Sequence, residues 1–128
     1  MPIFLIQLFI SLFLAILFLQ SGLDKFIDWK GNLQFHTEHF AKSPLANFTK
    51  PMLALIAVME TLCGALSAGG AIFIFAKNDC TVSFNAAALS GLIYLMLFAG
   101  QRISKDYKGA AVLVPYFLVS LAGMYVMQ

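Results

Sequence analysis

Residues 52–76 read MLALIAVMETLCGALSAGGAIFIFA, and this stretch decides the fold class. It is apolar except for one acid, Glu60, and at about 1.5 Å of rise per residue a helix of this length crosses a hydrocarbon core of roughly 30 Å. A carboxylate at that depth costs several kcal/mol, so such acids usually face other helices or a water-filled cavity. The small residues that follow it, Gly64, Gly69 and Gly70, favour close contact with a second helix. The stretch therefore predicts a membrane helix whose acid faces protein.

Three more apolar runs occupy residues 3–23, 82–102 and 110–127. Hydrophobic residues make up 61% of the chain and charged residues 11%, and the mean hydropathy is +0.87. This balance excludes a soluble globular domain, which needs more polar surface. We predict a single all-α membrane domain over residues 1–128, an antiparallel four-helix bundle with no soluble catalytic domain. The first run lacks a basic start and a small-residue cleavage pattern, so we expect it to remain as a membrane helix.

The basic residues indicate how the helices are oriented. Seven of the eight Lys and Arg residues fall in the first and third connections, and the second connection carries only Lys77. By the positive-inside rule the first and third connections are cytoplasmic, so both termini lie outside, in a membrane we expect to be the bacterial cytoplasmic (inner) membrane. The seven are Lys25, Lys30, Lys42, Lys50, Arg102, Lys105 and Lys108.

The long first connection carries signals of structure at the membrane surface. Trp29 follows the first run, where an interfacial aromatic residue is expected. Ser43 and Pro44 are typical of a helix start, with an N-cap followed by proline at the first helical position, and Thr49 with Pro51 repeats the signal before the second run. These signals predict short interfacial helices between residues 31 and 48.

Metal and redox centres find little support in the sequence. A haem or metal centre inside the membrane needs His or Cys ligands, yet His36 and His39 both lie in the first connection. Two imidazoles without a third ligand favour an exposed polar face over a metal site. Cys63 and Cys80 form no CxxC pair, and Cys63 is interpreted as a small packing residue. We predict no metal site and no intrinsic cofactor.

In an up-and-down arrangement, polar residues from three runs approach the same membrane face. Glu60 lies about 13 Å into its helix from Pro51, a depth that Lys25 or Arg102 can reach by extending inward. Gln20 or Tyr94 is placed to donate a hydrogen bond to the acid. The candidate cluster comprises Gln20, Asp24, Lys25, Glu60, Tyr94 and Arg102.

The end of the first run, Ser21-Gly22-Leu23-Asp24-Lys25-Phe26, and Glu60 followed by Gly64 carry a resemblance to a known family. In these motifs and in its four-helix layout the chain resembles the DoxX and DoxX-like membrane proteins. The resemblance implies a four-helix inner-membrane protein associated with quinone-linked or other membrane oxidoreductase complexes. It marks Lys25 and Glu60 as family-matched positions, whereas the other four cluster residues rest on geometry.

We therefore expect a DoxX-like integral subunit that contacts lipid and a larger, respiratory or quinone-linked membrane complex, with no nucleic-acid partner. Glu60 would form hydrogen bonds within the bundle or help line a quinone-head pocket, since the cluster can supply donors beside an apolar slot, and a quinone is a possible cofactor. No catalytic residue is assigned, because the chain carries no evident electron carrier and is not expected to be a complete oxidoreductase alone. Two alternatives stay open: a small proton-coupled transporter built around Glu60, and a purely structural ion pair.

Overall fold

The computed structural model describes residues 2–128 and is all-α, as the sequence predicts. Four of its helices are long and apolar enough to cross a membrane, which fits an integral membrane protein. Each of the four predicted runs lies entirely within one of these helices, and the helices extend a few residues beyond the runs. The helices are α1 (Pro2–Ile27), α2 (Trp29–His39), α3 (Thr49–Lys77), α4 (Thr81–Ile103) and α5 (Tyr107–Met127), with a single 3-10 turn at Ala46–Phe48.

Short polar residues end and start the helices. Asp28 caps α2, accepting a hydrogen bond from the Gly31 backbone N–H at 3.3 Å, and Asp106 caps α5 through the Gly109 N–H at 3.0 Å. Asn78 ends α3 in the left-handed region, with φ of 52°, which asparagine tolerates better than most residues. These residues let one helix end and the next begin within a few positions.

Helix α3 has the central place in the packing, since it contacts both α1 and α4, while α5 packs mainly on α4. Two of its glycines allow backbones to approach closely. A Cβ atom at Gly64 would lie 2.6 Å from the backbone nitrogen of Leu19, and one at Gly70 would lie 2.8 Å from the Cα of Ser83. The predicted packing role therefore holds for these two glycines. It is wrong for Gly69, where a Cβ would meet no described atom within 4 Å.

The outer surface of the long helices is apolar. Ile16, Ile72 and Phe75 are each about two-thirds or more exposed, whereas the interior contains small and hydroxyl-bearing side chains such as Ser11 and Ser83 beside Leu14 and Phe18. A water-soluble protein of this size does not expose so much contiguous apolar area. This surface is the one expected of helices in contact with hydrocarbon.

The first connection differs from the prediction in one respect. No α-helix starts at Pro44: residues 40–45 form turns, followed by the 3-10 turn that leads directly into α3. The Ser43 hydroxyl accepts a hydrogen bond from the Leu45 N–H at 3.1 Å, which closes a local turn instead of capping a helix. The helix that does form, α2, begins earlier, at Trp29.

Candidate functional site

Glu60 is buried and paired with Lys25. The Lys25 Nζ lies 2.7 Å from Glu60 Oε1, and the Ser21 hydroxyl donates a hydrogen bond of 2.6 Å to Glu60 Oε2. Lys25 Nζ in turn donates to Ser21 Oγ at 2.9 Å, so the three side chains form a closed polar triangle. Only 4% of Glu60 is exposed. The acid of α3 is thus neutralised by a base from α1.

Local helix geometry explains this triangle. Ser21 and Lys25 are four residues apart on α1, so they share a face, and that face is turned toward α3. Gly22 lies against the backbone of Thr61, where a Cβ would come within 2.6 Å of the Thr61 nitrogen. Because no side chain separates the two backbones here, Ser21 reaches the carboxylate directly. Thr61 does not compete for it, since its hydroxyl donates to the Ala57 carbonyl.

The charges of Lys25 and Glu60 compensate each other in a buried site. Within residues 2–128, Oε1 of Glu60 has no hydrogen-bond partner of good geometry and is met only by the ammonium charge of Lys25. Removing one member of a buried ion pair leaves the other charge uncompensated, which typically costs about 3–5 kcal/mol. The side chain of Lys25 retains 13% exposure, whereas that of Glu60 retains 5%. Lys25 is therefore the member of the pair that can meet a ligand.

Three of the other predicted cluster residues, Gln20, Asp24 and Arg102, point away from Glu60. Gln20 and Asp24 are exposed, because each is one residue, or about 100° around the helix, from a side chain of the triangle. Arg102 is also exposed, and its guanidinium stacks on Tyr107 at 4.5 Å from the ring centroid. Among the described residues, no hydrogen bond or ion pair joins any of these to Glu60.

Tyr94 is buried near the acid but belongs to an aromatic group. Its ring centroid lies 5.2 Å from that of Phe18 and 5.9 Å from that of Tyr116. Such ring pairs stabilise the packing of helices through offset or tilted contacts. The hydrogen bond to Glu60 that the sequence suggested for Tyr94 or Gln20 comes instead from Ser21, a polar residue at the same end of α1 that was not predicted as the donor.

Lys25 lines a cavity of about 240 Å³ between α2, α3 and α4. Most of its wall is apolar, including Phe35 from α2, Phe40 directly after α2, and Met52 and Ile56 from α3. The polar groups on its wall include His36, His39, Thr49, Gln101 and Asp106. Glu60 is not among the described side chains that line this cavity.

His36 is held in one orientation by its own helix. Its Nδ1 lies 2.8 Å from the Asn32 carbonyl oxygen, which can only accept, so Nδ1 carries the proton and Nε2 is left as an acceptor. Burial is the main cause that lowers the pKa of His36 below its ordinary value of 6.5, against the opposing effect of this hydrogen bond. The ring is therefore mostly neutral at neutral pH.

His39 connects α2 to the turn between α4 and α5. Its Nε2 lies 2.9 Å from Oε1 of Gln101 and 3.4 Å from Oδ2 of Asp106, which is the cap of α5. Neither histidine has the exposed position that the sequence analysis favoured: both are half-buried and line the cavity. The helical spacing of Phe35, His36, His39 and Phe40 is the sequence signal that indicates a shared face.

The other possible sites have fewer groups that could bind or react with a ligand. Residues 2–128 contain no group of three or more His, Cys, Asp or Glu side chains placed to hold a metal ion. Both cysteines are free thiols, and that of Cys63 is buried and donates to the Ala86 carbonyl at 3.3 Å. A larger depression of about 690 Å³ lies where α3 joins α4, but it is open, and its one described charged side chain, Asp79, is exposed and bonds to Thr81. The cavity beside Lys25 is the stronger candidate.

Comparisons with protein-family models, with curated proteins and with solved structures each give no match to this chain.

Proposed function

We propose that the chain is a DoxX-like integral membrane subunit that binds the head group of a quinone in the cavity between α2, α3 and α4, within a larger quinone-using membrane complex. The observation that carries this proposal is the position of Lys25, an ammonium group held by Glu60 and Ser21 at the wall of an otherwise largely apolar cavity. A quinone ring needs flat apolar walls and one or two donors for its carbonyl oxygens.

The size and chemistry of the cavity support a single-ring ligand. Its volume of about 240 Å³ is below the roughly 300–1,000 Å³ of sites that enclose drug-sized molecules, so it suits a head group and not a whole prenylated quinone. The rings of Phe35 and Phe40 supply aromatic wall, and Lys25 supplies a charged donor. His36 adds a hydrogen-bond acceptor, which suits the hydroxyl group of a reduced ring.

Glu60 acts in this proposal as a positioning residue. It does not line the cavity of the described chain, but with Ser21 it holds the ammonium group of Lys25 in place. This also weakens the transporter alternative, because a carboxylate that exchanges protons with a moving substrate needs access to a water-filled path.

The proposed setting is an antiparallel bundle in a bacterial cytoplasmic membrane, with both termini outside and α2 at the cytoplasmic interface. The excess of basic residues in the first and third connections supports this orientation. Trp29 at the start of α2 and the contact from Gln7 near the start of α1 to the Val126 carbonyl near the end of α5, at 2.7 Å, support the arrangement.

The test is purification of the chain from native membranes in mild detergent, followed by identification of co-purifying proteins and of extracted quinone. The informative variant carries Lys25→Met with Glu60→Gln, because removing both charges avoids an unpaired buried carboxylate. The control is Lys30→Met, which removes an exposed lysine of α2. We expect quinone and partner proteins with the parent and the control, and loss of quinone from the double variant.

Two outcomes would contradict the proposal. A parent chain that purifies alone, without partner protein and without quinone, would refute it. Equal quinone content in the parent and the double variant would leave the ion pair a purely structural contact between α1 and α3.

A further inference from the structure

The two most exposed side chains of the cavity wall are apolar. They are Phe35 of α2 and Leu55 of α3, exposed by 63% and 50%. The polar lining residues are buried or half-buried, and among them the side chains of His39 and Asp106 keep 25% and 32% exposure. The apolar side chains are therefore more accessible from outside than the polar ones.

The apolar edge continues along α3. Leu55, Val58 and Leu62 follow one another at helical spacing and are exposed by 50%, 54% and 53%. They form a stripe on the outer surface of a helix that is long and apolar enough to cross a membrane, and the stripe begins at the cavity. From Leu55 to Leu62 the stripe covers about 10 Å along the helix, which is enough to contact the first part of an alkyl or prenyl chain.

Polar contacts connect the other part of the cavity. The His39 ring links α2 to Gln101 at 2.9 Å and to Asp106 at 3.4 Å, so α2 is attached to the turn that precedes α5. A small water-soluble ligand would have to separate these contacts or cross the apolar edge to enter. A ligand dissolved in the bilayer would first contact the most exposed side chains of the wall, Phe35 and Leu55.

From this asymmetry we propose that the cavity is loaded laterally from the bilayer, through the opening between Phe35 and Leu55, by an amphiphile with a single-ring polar head and a long apolar tail. The head contacts Lys25 inside, and the tail lies along the stripe of Leu55, Val58 and Leu62. The inference uses the same cavity as the proposed function and adds the entry route, the requirement for a tail and the surface that the tail contacts.

The test is photolabelling of the full chain in lipid nanodiscs with three probes that carry a diazirine in the same alkyl tail. One probe has a benzoquinone head, one a phenol head, and one is a phosphatidylcholine, which reports ordinary lipid contact. Labelled sites are located by peptide mass spectrometry. We expect the benzoquinone and phenol probes to be enriched at Leu55, Val58 and Leu62 over Ile72 and Phe75, which are exposed by 67% and 75%. An excess of the same tailed molecule without the diazirine should remove that enrichment, whereas the tailless ring should not.

Matched variants separate the opening from general lipid exposure. Leu55→Trp adds bulk at the opening, whereas Ile72→Trp adds the same bulk at a residue of α3 that is 67% exposed and does not line the cavity. Extra bulk in the opening has a free-energy cost that should lower ligand occupancy about tenfold. Labelling at residues 58–62 should therefore fall about tenfold in Leu55→Trp and stay unchanged in Ile72→Trp.

The outcomes distinguish this inference from the proposed function. Enrichment with the phenol probe but not with the benzoquinone probe would refute quinone binding and leave lateral loading in place. A second outcome would overturn lateral loading and leave the proposed function standing. In it, quinone co-purifies with the parent and is lost from the Lys25→Met, Glu60→Gln variant, but the probes label the chain no differently from phosphatidylcholine. Labelling concentrated at residues 101–106 would show entry from the aqueous side and would also overturn lateral loading.

Discussion

The buried pair of Lys25 and Glu60 predicts a specific pattern of stability among single and double variants. Lys25→Met leaves Glu60 with one polar partner, the Ser21 hydroxyl at 2.6 Å, in a site where only 4% of the glutamate is exposed. Loss of one partner from a buried pair costs about 3–5 kcal/mol, and we expect the lower end, about 3 kcal/mol, because the Ser21 hydrogen bond remains.

The double variant should recover most of that loss. With Lys25→Met and Glu60→Gln together no charge is buried, and side chains of similar volume fill the space, so the free energy of unfolding should return to within about 1 kcal/mol of the parent. Glu60→Gln alone should cost less than Lys25→Met, about 1 kcal/mol, because Lys25 keeps 13% of its side chain exposed and its contact with Ser21. The interaction energy, which is the sum of the two single losses minus the loss in the double variant, should then be about 3 kcal/mol. Lys30→Met, at an exposed residue, serves as the control for removing one positive charge.

The assay is reversible unfolding in mixed micelles with increasing mole fraction of sodium dodecyl sulfate, followed by circular dichroism. The parent, the two single variants, the double variant and the control are compared in the same micelles. If Lys25→Met changes the free energy of unfolding by no more than the control, and the cycle gives no interaction energy, the ion pair does not hold α1 to α3 and the geometric reasoning is wrong.

Two further predictions concern packing and pH. Gly64→Ala should lower the free energy of unfolding in the same micelle assay by about 1–3 kcal/mol, because its Cβ would lie 2.6 Å from the Leu19 nitrogen, whereas Gly69→Ala, which faces open space, should not; an equal effect of both would exclude a close approach at Gly64. Burial lowers the pKa of His36, so the unfolded state binds the proton more strongly than the folded state. Hydrogen-exchange protection of α2 should therefore fall as the pH drops below 6.5, and should depend less on pH in His36→Gln; Lys25, His39 and Glu60 are the other nearby charges. Protection that rises on acidification would contradict this sign.

Part of the candidate site could be predicted from the sequence. An acid in an apolar helix requires a partner, and Lys25 is one of two basic residues at a compatible depth. The sequence did not separate Lys25 from Arg102, since both end a helix on the same predicted face. It also predicted Gln20 as a donor, whereas the neighbouring Ser21, about 100° further around α1, is the residue that bonds to Glu60.

The cavity itself depended on contacts between distant residues. His39 meets Gln101 and Asp106, which follow it by more than sixty positions, and no local pattern connects them. Their approach depends on the turns at residues 40–45, where Ser43 bonds to Leu45 and prevents the helix start that its sequence signal suggests. A hydrogen bond of this kind competes locally with capping, and the packing of α2 decides between them.

The order of residues is enough to predict an all-α protein with four apolar runs long enough to cross a membrane and one acid, Glu60, inside them that needs a partner. Those properties depend on consecutive residues, through the length and hydropathy of each run. The packing of the helices makes Lys25 and Ser21 the partners, keeps Glu60 out of the cavity wall, and places Phe35 and Leu55 at the outer edge of the cavity. The physical reason is the angular position of each residue around its helix. Neighbouring helical residues are about 100° apart, and which of them meets another helix depends on how the helices pack.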